Sequence, residues 1–266
     1  MRQKLHRFAL SVAAWELAAI LIGGFVTSSR IVTNAPPAPG PTFVHEALGA
    51  ASIVIALAMC VWASLARARH PARGVAWVAL AALAMSGATA GIATMSPPRV
   101  VIHAIWSHVA FGLSVVVVML SSDGWSKPAV VVSPGSWTAL RPAALVTPLA
   151  VLAQIAMGAL YRHQILGVMP HMFGALVVAL LTLVVSVILL QNFAEHRELK
   201  RVATILISIV LAQVCLGIAA FLMLLLNAGN VPAFAWLATA HVTTGSLIFG
   251  ASMAAAMQVR RSIAPR

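Results

Sequence analysis

The stretch PHMFGALVVALLTLVVSVILLQN, residues 170–192, decides the class of fold. It runs for 23 residues without an Asp, Glu, Lys or Arg. As a helix rising about 1.5 Å per residue, that length crosses a hydrocarbon layer roughly 30 Å thick. Backbone polar groups find no water inside a bilayer, so a spanning segment is either a helix or one strand of a closed barrel. The apolar residues here are continuous rather than alternating, which selects the helix. Its one titratable group, His171, stands at the start.

Seven further runs of the same kind occupy about 8–29, 43–66, 74–96, 100–121, 143–165, 202–226 and 233–258. Hydrophobic residues make up 61% of the chain and charged residues 8%, a balance that suits a polytopic membrane protein and no soluble domain. The first run is too long, and too poor in a cleavage motif, for a removed signal peptide. The expected fold class is an all-α integral membrane protein of eight transmembrane helices.

Arg and Lys set the expected orientation. With the N-terminus inside, Arg2, Lys4, Arg7, Arg67, Arg69, Arg73, Lys127, Arg141, Arg197, Lys200, Arg201, Arg260, Arg261 and Arg266 all fall on the cytoplasmic side. Only Arg30, Arg99 and Arg162 fall outside. That asymmetry is the positive-inside pattern, and it places both termini in the cytoplasm, with a bacterial inner membrane as the expected location. The net charge of +12 then reflects topology and attraction to anionic membrane lipid. No basic cluster is interleaved with aromatics, so nucleic acid is not an expected partner. No phosphate loop, serine-hydrolase triad or zinc motif is present. Cys60 and Cys215 lie inside apolar runs, which excludes an outer disulfide or a CxxC metal site.

The chain reads as a duplication. Residues 1–122 and 143–266 each carry four spans, joined by a polar linker at 123–142 that contains Pro, Gly and Ser. HEALGA at His45 is answered by HMFGAL at His171, and GIAT at Gly91 by GIAA at Gly217. Phe111-Gly112 follows eight residues after His103, as Phe249-Gly250 follows eight after His241. Four spans preserve orientation, so the halves are expected to be two parallel-repeat four-helix bundles.

Histidines mark the chemistry. His45, His103, His171 and His241 lie at or near the outer starts of the even-numbered spans, two in each half. An imidazole is costly in a bilayer without a partner, and two facing imidazoles are natural axial ligands for heme iron. The alternative is that each one caps a helix or bonds a carbonyl. His108 is a rival to His103; five residues apart, the two cannot share one helix face. His6, His70 and His196 lie among basic residues in the cytoplasmic fringe and are expected to be solvated, as is His163 in the outer YRH element. Arg30 and Arg162 end the first and fifth spans and suit either ligand carboxylates or interfacial snorkelling. Gln154 and Gln213 are expected to bond across helices. Glu16 is expected to reach water from the cytoplasmic end of its span, with an intramembrane proton path as the other reading.

These motifs resemble the heme A synthase family. QIAMGALYRHQILGVMPHMFGALVV from Gln154, QVCLGIAA from Gln213 and TAHVTTGSLIFG from Thr239 are similar to its second half. VTSS at Val26, GIAT at Gly91 and SPPRVVIHAIWSHVAFG at Ser96 are similar to its first. The resemblance implies oxidation of the heme O methyl group to the formyl of heme A, in the service of cytochrome oxidase assembly. It implies His45 and His103 as the pair for the substrate heme, heme O or its product heme A. It implies His171 and His241 as ligands of a resident heme b; beside them Arg162 and Arg30 are candidates to neutralise the cofactor's carboxylates, and Gln154 to bond its edge.

The departures lie in the first half. The family's Gly-Ser-Gly and Pro-Asp-Trp-Pro loop is replaced by SRIVTNAPPAPGP from Ser29. A glutamate three residues before the second-span histidine is replaced by Thr42, and Glu46 stands where an arginine is frequent. Glu46 is the candidate to substitute as the catalytic carboxylate, against which stands that one residue of shift along a helix turns a side chain by about 100°. Candidate partners are heme O synthase, terminal-oxidase assembly factors, a quinone or another electron partner, and a second copy of the chain. The alternative functions are a non-catalytic heme b electron-transfer subunit and, more remotely, a transporter.

Overall fold

The computed structural model describes residues 2–33, 38–66, 70–90, 96–226 and 231–265, with the side chains of 2, 31–33, 70 and 231 outside that set. The GIAT repeat at Gly91, the basic side chains at 2, 67, 69 and 266, and the His70 side chain therefore lie outside the described residues. The elements are α1 (Arg2–Thr33), α2 (Pro39–Leu65), α3 (His70–Ala90), α4 (Pro97–Ser121), α5 (Asp123–Ser126), α6 (Leu140–Arg162), α7 (Val168–Asn192), α8 (Arg197–Leu225) and α9 (Val231–Ser262). All but the single-turn α5 are long and apolar enough to cross a membrane. The protein is an all-α, multi-pass membrane protein.

The helices begin earlier than the apolar runs do. Pro39 and Pro97 sit in the first turns of α2 and α4, where a missing N–H costs nothing and the fixed φ suits a helix. His45 and His103 consequently lie nearly two turns inside their helices, not at the mouths, and His241 almost three turns inside α9. Buried hydroxyls are satisfied by the preceding turn of their own helix. Ser52 donates to Leu48, Thr147 to Ala143, Thr182 to Val178 and Thr239 to Ala235, so none needs water.

Each half closes on itself. Helices α1–α4 pack in a ring in chain order, and α6–α9 do the same. Across the boundary α1 meets α9 as α6 meets α4, and α4 meets α9 directly. Exchanging the halves preserves this contact pattern, as two parallel repeats related by an axis along the helices require. At the centre, Phe249 covers Gly112 and Phe111 covers Gly250. The Phe-Gly steps that mark the repeat in the sequence are thus the interlock between the halves.

Buried apolar clusters fill the side where α1 begins. Leu5, Ala9, Val12, Met59 and Ala63 form one in the first half. Leu140, Leu189, Leu199, Val259 and Ile263 form its counterpart in the second. The segment joining the halves is tied down there, with Val132 bonded in both directions to the end of α9 and Arg261 lying 4.4 Å above the Trp125 ring. The histidine pairs lie toward the opposite side.

Candidate functional site

The fold brings His45 of α2 opposite His103 of α4, with ring centres 6.0 Å apart and ring planes at 89°. It brings His171 of α7 opposite His241 of α9 in the same way, at 6.2 Å and 84°. His108 does not share the first pair. It is 5% exposed, lies on another face of α4, and places its Nδ1 2.6 Å from the Ala104 carbonyl.

A close-fitting cradle supports three of the four imidazoles. An ideal Cβ added to Gly23 would lie 2.5 Å from His45 Cε1, one on Gly158 3.0 Å from His171 Cε1, and one on Gly217 2.8 Å from His241 Cε1. The ring rests on the backbone of the neighbouring helix, and no other residue leaves it that room. Four residues before each glycine comes the group that holds the ring. The Ala19 carbonyl lies 3.1 Å from His45 Nδ1, and the Gln213 carbonyl 3.2 Å from His241 Nδ1. Gln154 lies against His171 in the same register. His103 is held differently, by the Ser86 carbonyl at 2.9 Å and the Ser86 hydroxyl at 3.0 Å from its Nδ1. Reading the sequence for ligands missed this device, although Q-x-x-x-G occurs at both Gln154 and Gln213 and A-x-x-x-G at Ala19.

These bonds fix tautomers. An Nδ1–H donated to a carbonyl leaves Nε2 with its lone pair, which is the state a metal ligand needs. His45, His103 and His241 are set that way, although the Gln213 side-chain amide lies 3.4 Å from His241 Nε2 and would have to move aside for that nitrogen to bind a metal. His171 is set oppositely, because the Gln154 amide donates to its backbone carbonyl (2.8 Å) and to Nδ1 (2.9 Å). The Gln154 Oε1 is buried without a partner. Turning that amide over would let Oε1 accept from Nδ1–H and free Nε2 for ligation.

The spacing suits one metal between two rings. With metal–nitrogen bonds of about 2.0 Å and ring centres about 1.1 Å further out, trans imidazoles have centres roughly 6.2 Å apart. Both pairs match this value. Among the described residues no group of three or more His, Cys, Asp or Glu gathers as a metal site. Each pair by itself offers two nitrogen donors, the number a porphyrin-bound metal leaves open. The glycine cradles are the second point of fit.

The remaining candidates are dispersed. Arg162 reaches from α6 into the first half and donates to the Gly24 carbonyl and the Ser28 hydroxyl of α1, while its Nε is buried without a partner. Arg30 is exposed at the end of α1. Glu46 is exposed as well, so the first histidine pair does not enclose it. Thr42 spends its hydroxyl on the Ala38 carbonyl. His163, just past α6, is half-buried, and burial together with the Arg162 and Arg30 charges lowers its pKa to about 4. His6 and His196 are joints and not solvated side chains. The first meets the Val118 carbonyl and the second the Val130 carbonyl, each at 3.0 Å. Glu16 does not reach water: it is 3% exposed. No protein-family model matches this chain, and none of the curated proteins compared with it is a match.

Proposed function

We propose that the protein is a heme-binding membrane oxidoreductase of the heme A synthase type. The observation that supports it is the recurrence, in both halves, of two facing histidines at the spacing of trans axial ligands. His171 and His241 would hold a resident heme b, which would supply electron transfer. His45 and His103 hold the heme O whose methyl group is oxidised to the formyl of heme A. Taking that methyl to the formyl, with one water supplying the oxygen, would release four electrons and four protons, which a quinone or another carrier would accept. The chain lies in a bacterial inner membrane with both termini cytoplasmic, in keeping with its basic residues.

This chain's residues do three things in that reading. The cradling glycines let His45, His171 and His241 approach the neighbouring helix, and the carbonyls of Ala19, Ser86 and Gln213 orient the rings of His45, His103 and His241. Gln154 sets the tautomer of His171. Arg162 ties the two sites into one unit through α1.

One observation favours a second reading, a heme b subunit that carries electrons without chemistry. Glu46 is exposed and Thr42 bonds its own helix, so neither supplies a carboxylate to the first pair. One experiment separates the two. The chain is expressed with a heme O synthase, and its extracted hemes are analysed by mass spectrometry. Heme A or its hydroxylated precursor supports the enzyme, whereas unchanged heme O beside bound heme b supports the carrier. Preparations free of heme from heme-replete cells would sink both.

A further inference from the structure

Glu16 is the acidic residue the proposed function leaves unused. The chain has five acidic residues, and the other four, Glu46, Asp123, Glu195 and Glu198, are exposed. Glu16 is 3% exposed in the interior of the first bundle, and among the described residues only the Ser114 hydroxyl stands as a partner for its carboxyl oxygens. An intramembrane carboxylate without a cation is expensive to keep, and such residues mark proton or ion paths.

Among the described residues, its surroundings contain no counter-charge. The Ser114 hydroxyl of α4 lies beside the carboxyl. Helices α2, α4 and α9 pack against α1, and their titratable groups are engaged or distant. His45 is held by Ala19, His103 by Ser86, His108 by Ala104 and His241 by Gln213. Glu46 and Arg99 lie toward the far ends of α2 and α4, while Cys60, Arg260 and Arg261 lie well toward the opposite side. Ser114 also borders a cavity of about 10 Å³, room for roughly one water, walled by Ala9, Ala56, Ala76 and Ala79. This cavity lies between Glu16 and the side where α1 begins. In the other direction Glu16 is one helical turn from Ala19, whose carbonyl holds His45.

The geometry points to Glu16 as an intramembrane proton-binding site, loaded past Ser114 from the side where α1 begins. The step is a reversible transfer of one proton from water to the carboxylate, giving the neutral acid, and it needs no other reactant. Its position one turn from the His45 anchor puts the site where a charge change at the first histidine pair would be balanced. Only that last link rests on the proposed function.

Infrared spectroscopy of the full chain in phosphatidylcholine vesicles tests the assignment. A protonated-carboxyl carbonyl band that stands in the wild-type minus Glu16→Gln difference spectrum, where the lipid ester bands cancel, reports Glu16. The expected result is such a band, shifted in D₂O, lost in Glu16→Gln and moved in frequency in Glu16→Asp. Ser114→Val is expected to slow its deuterium exchange several-fold. A wild-type spectrum without the band, or a band that survives Glu16→Gln, overturns the site. Unchanged exchange in Ser114→Val overturns the route. Heme content, read optically on the same samples, tests the functional reading separately, because the carboxyl band does not depend on it.

Discussion

Phe249 of α9 covers Gly112 of α4, and a Cβ at that glycine would also lie 2.7 Å from Met253 Sδ. The reciprocal contact places Phe111 over Gly250, where a Cβ would lie 3.2 Å from its ring. The two halves meet through this exchange of ring for glycine. Small residues let helices approach closely in lipid, where packing and not water expulsion drives association. Gly112→Leu is expected to destabilise the protein by about 1–3 kcal/mol through overpacking. Thermal unfolding in detergent measures the loss, and an unshifted transition would remove the interlock from the account.

Gly217→Val should empty the second histidine pair. The added side chain occupies the space of the His241 ring, so the low-spin heme signal per protein falls while the first pair is unaffected. Gly23→Val is expected to do the reverse. Equal losses at both sites in either variant would show that the cradles are not local supports.

Gln154 separates an orienting role from simple packing. Glutamate has the same shape but can only accept, so Gln154→Glu is expected to switch His171 to the tautomer with Nδ1–H, leaving Nε2 free, and to retain heme. Gln154→Leu removes the bond and is expected to weaken heme retention about 10–100-fold, the usual cost of losing an outer partner of a ligating histidine. Titration of heme into the stripped protein gives both affinities. If the leucine variant binds as the wild type does, the assigned role is wrong.

Arg162→Met tests the tie between the halves. The substitution removes charged hydrogen bonds to Gly24 and Ser28, each worth about 1.5–3 kcal/mol. A lower melting temperature is expected, with both hemes affected together because α1 carries the anchor for His45. Lysine, a point donor in place of a planar fork, should restore only part of the loss.

His163 gives the protein a pH dependence of known sign. Burial first, then the charges of Arg162 and Arg30, lowers its pKa from 6.5 to about 4. The unfolded chain takes up this proton at a higher pH than the native state does. The contribution is therefore absent above about pH 6.5, grows as the pH falls, and is complete below about pH 4. His163→Gln should flatten the decline in melting temperature between those limits. A decline as steep as that of the wild type assigns it to other groups.

The eight membrane-crossing helices and the parallel halves were legible in the sequence because bilayer thickness fixes the length of a span, and repeated motifs fix register. Helix starts shifted outward because proline at the first turn extends α2 and α4 beyond their apolar stretches. The four histidines could be picked out as a set from their spacing, but their pairing came from the family resemblance and not from the spacing. His103 and His108 differ by 140° around one helix, and only the position of α2 decides which of them faces His45. Glu16 was misjudged for the same reason: its distance from the chain start suggested water within reach, while packing by α4 encloses it.

By itself, the sequence determined an all-α membrane protein built from two similar halves, because hydropathy, length and repetition are properties of the chain read along one dimension. The tertiary structure alone decided that Gly23, Gly158 and Gly217 carry imidazoles, that Phe249 meets Gly112, and that Arg162 crosses to Ser28. Those contacts join residues far apart in the chain, and their existence depends on how helices rotate and approach in a close-packed interior, where one Cβ is enough to forbid a contact.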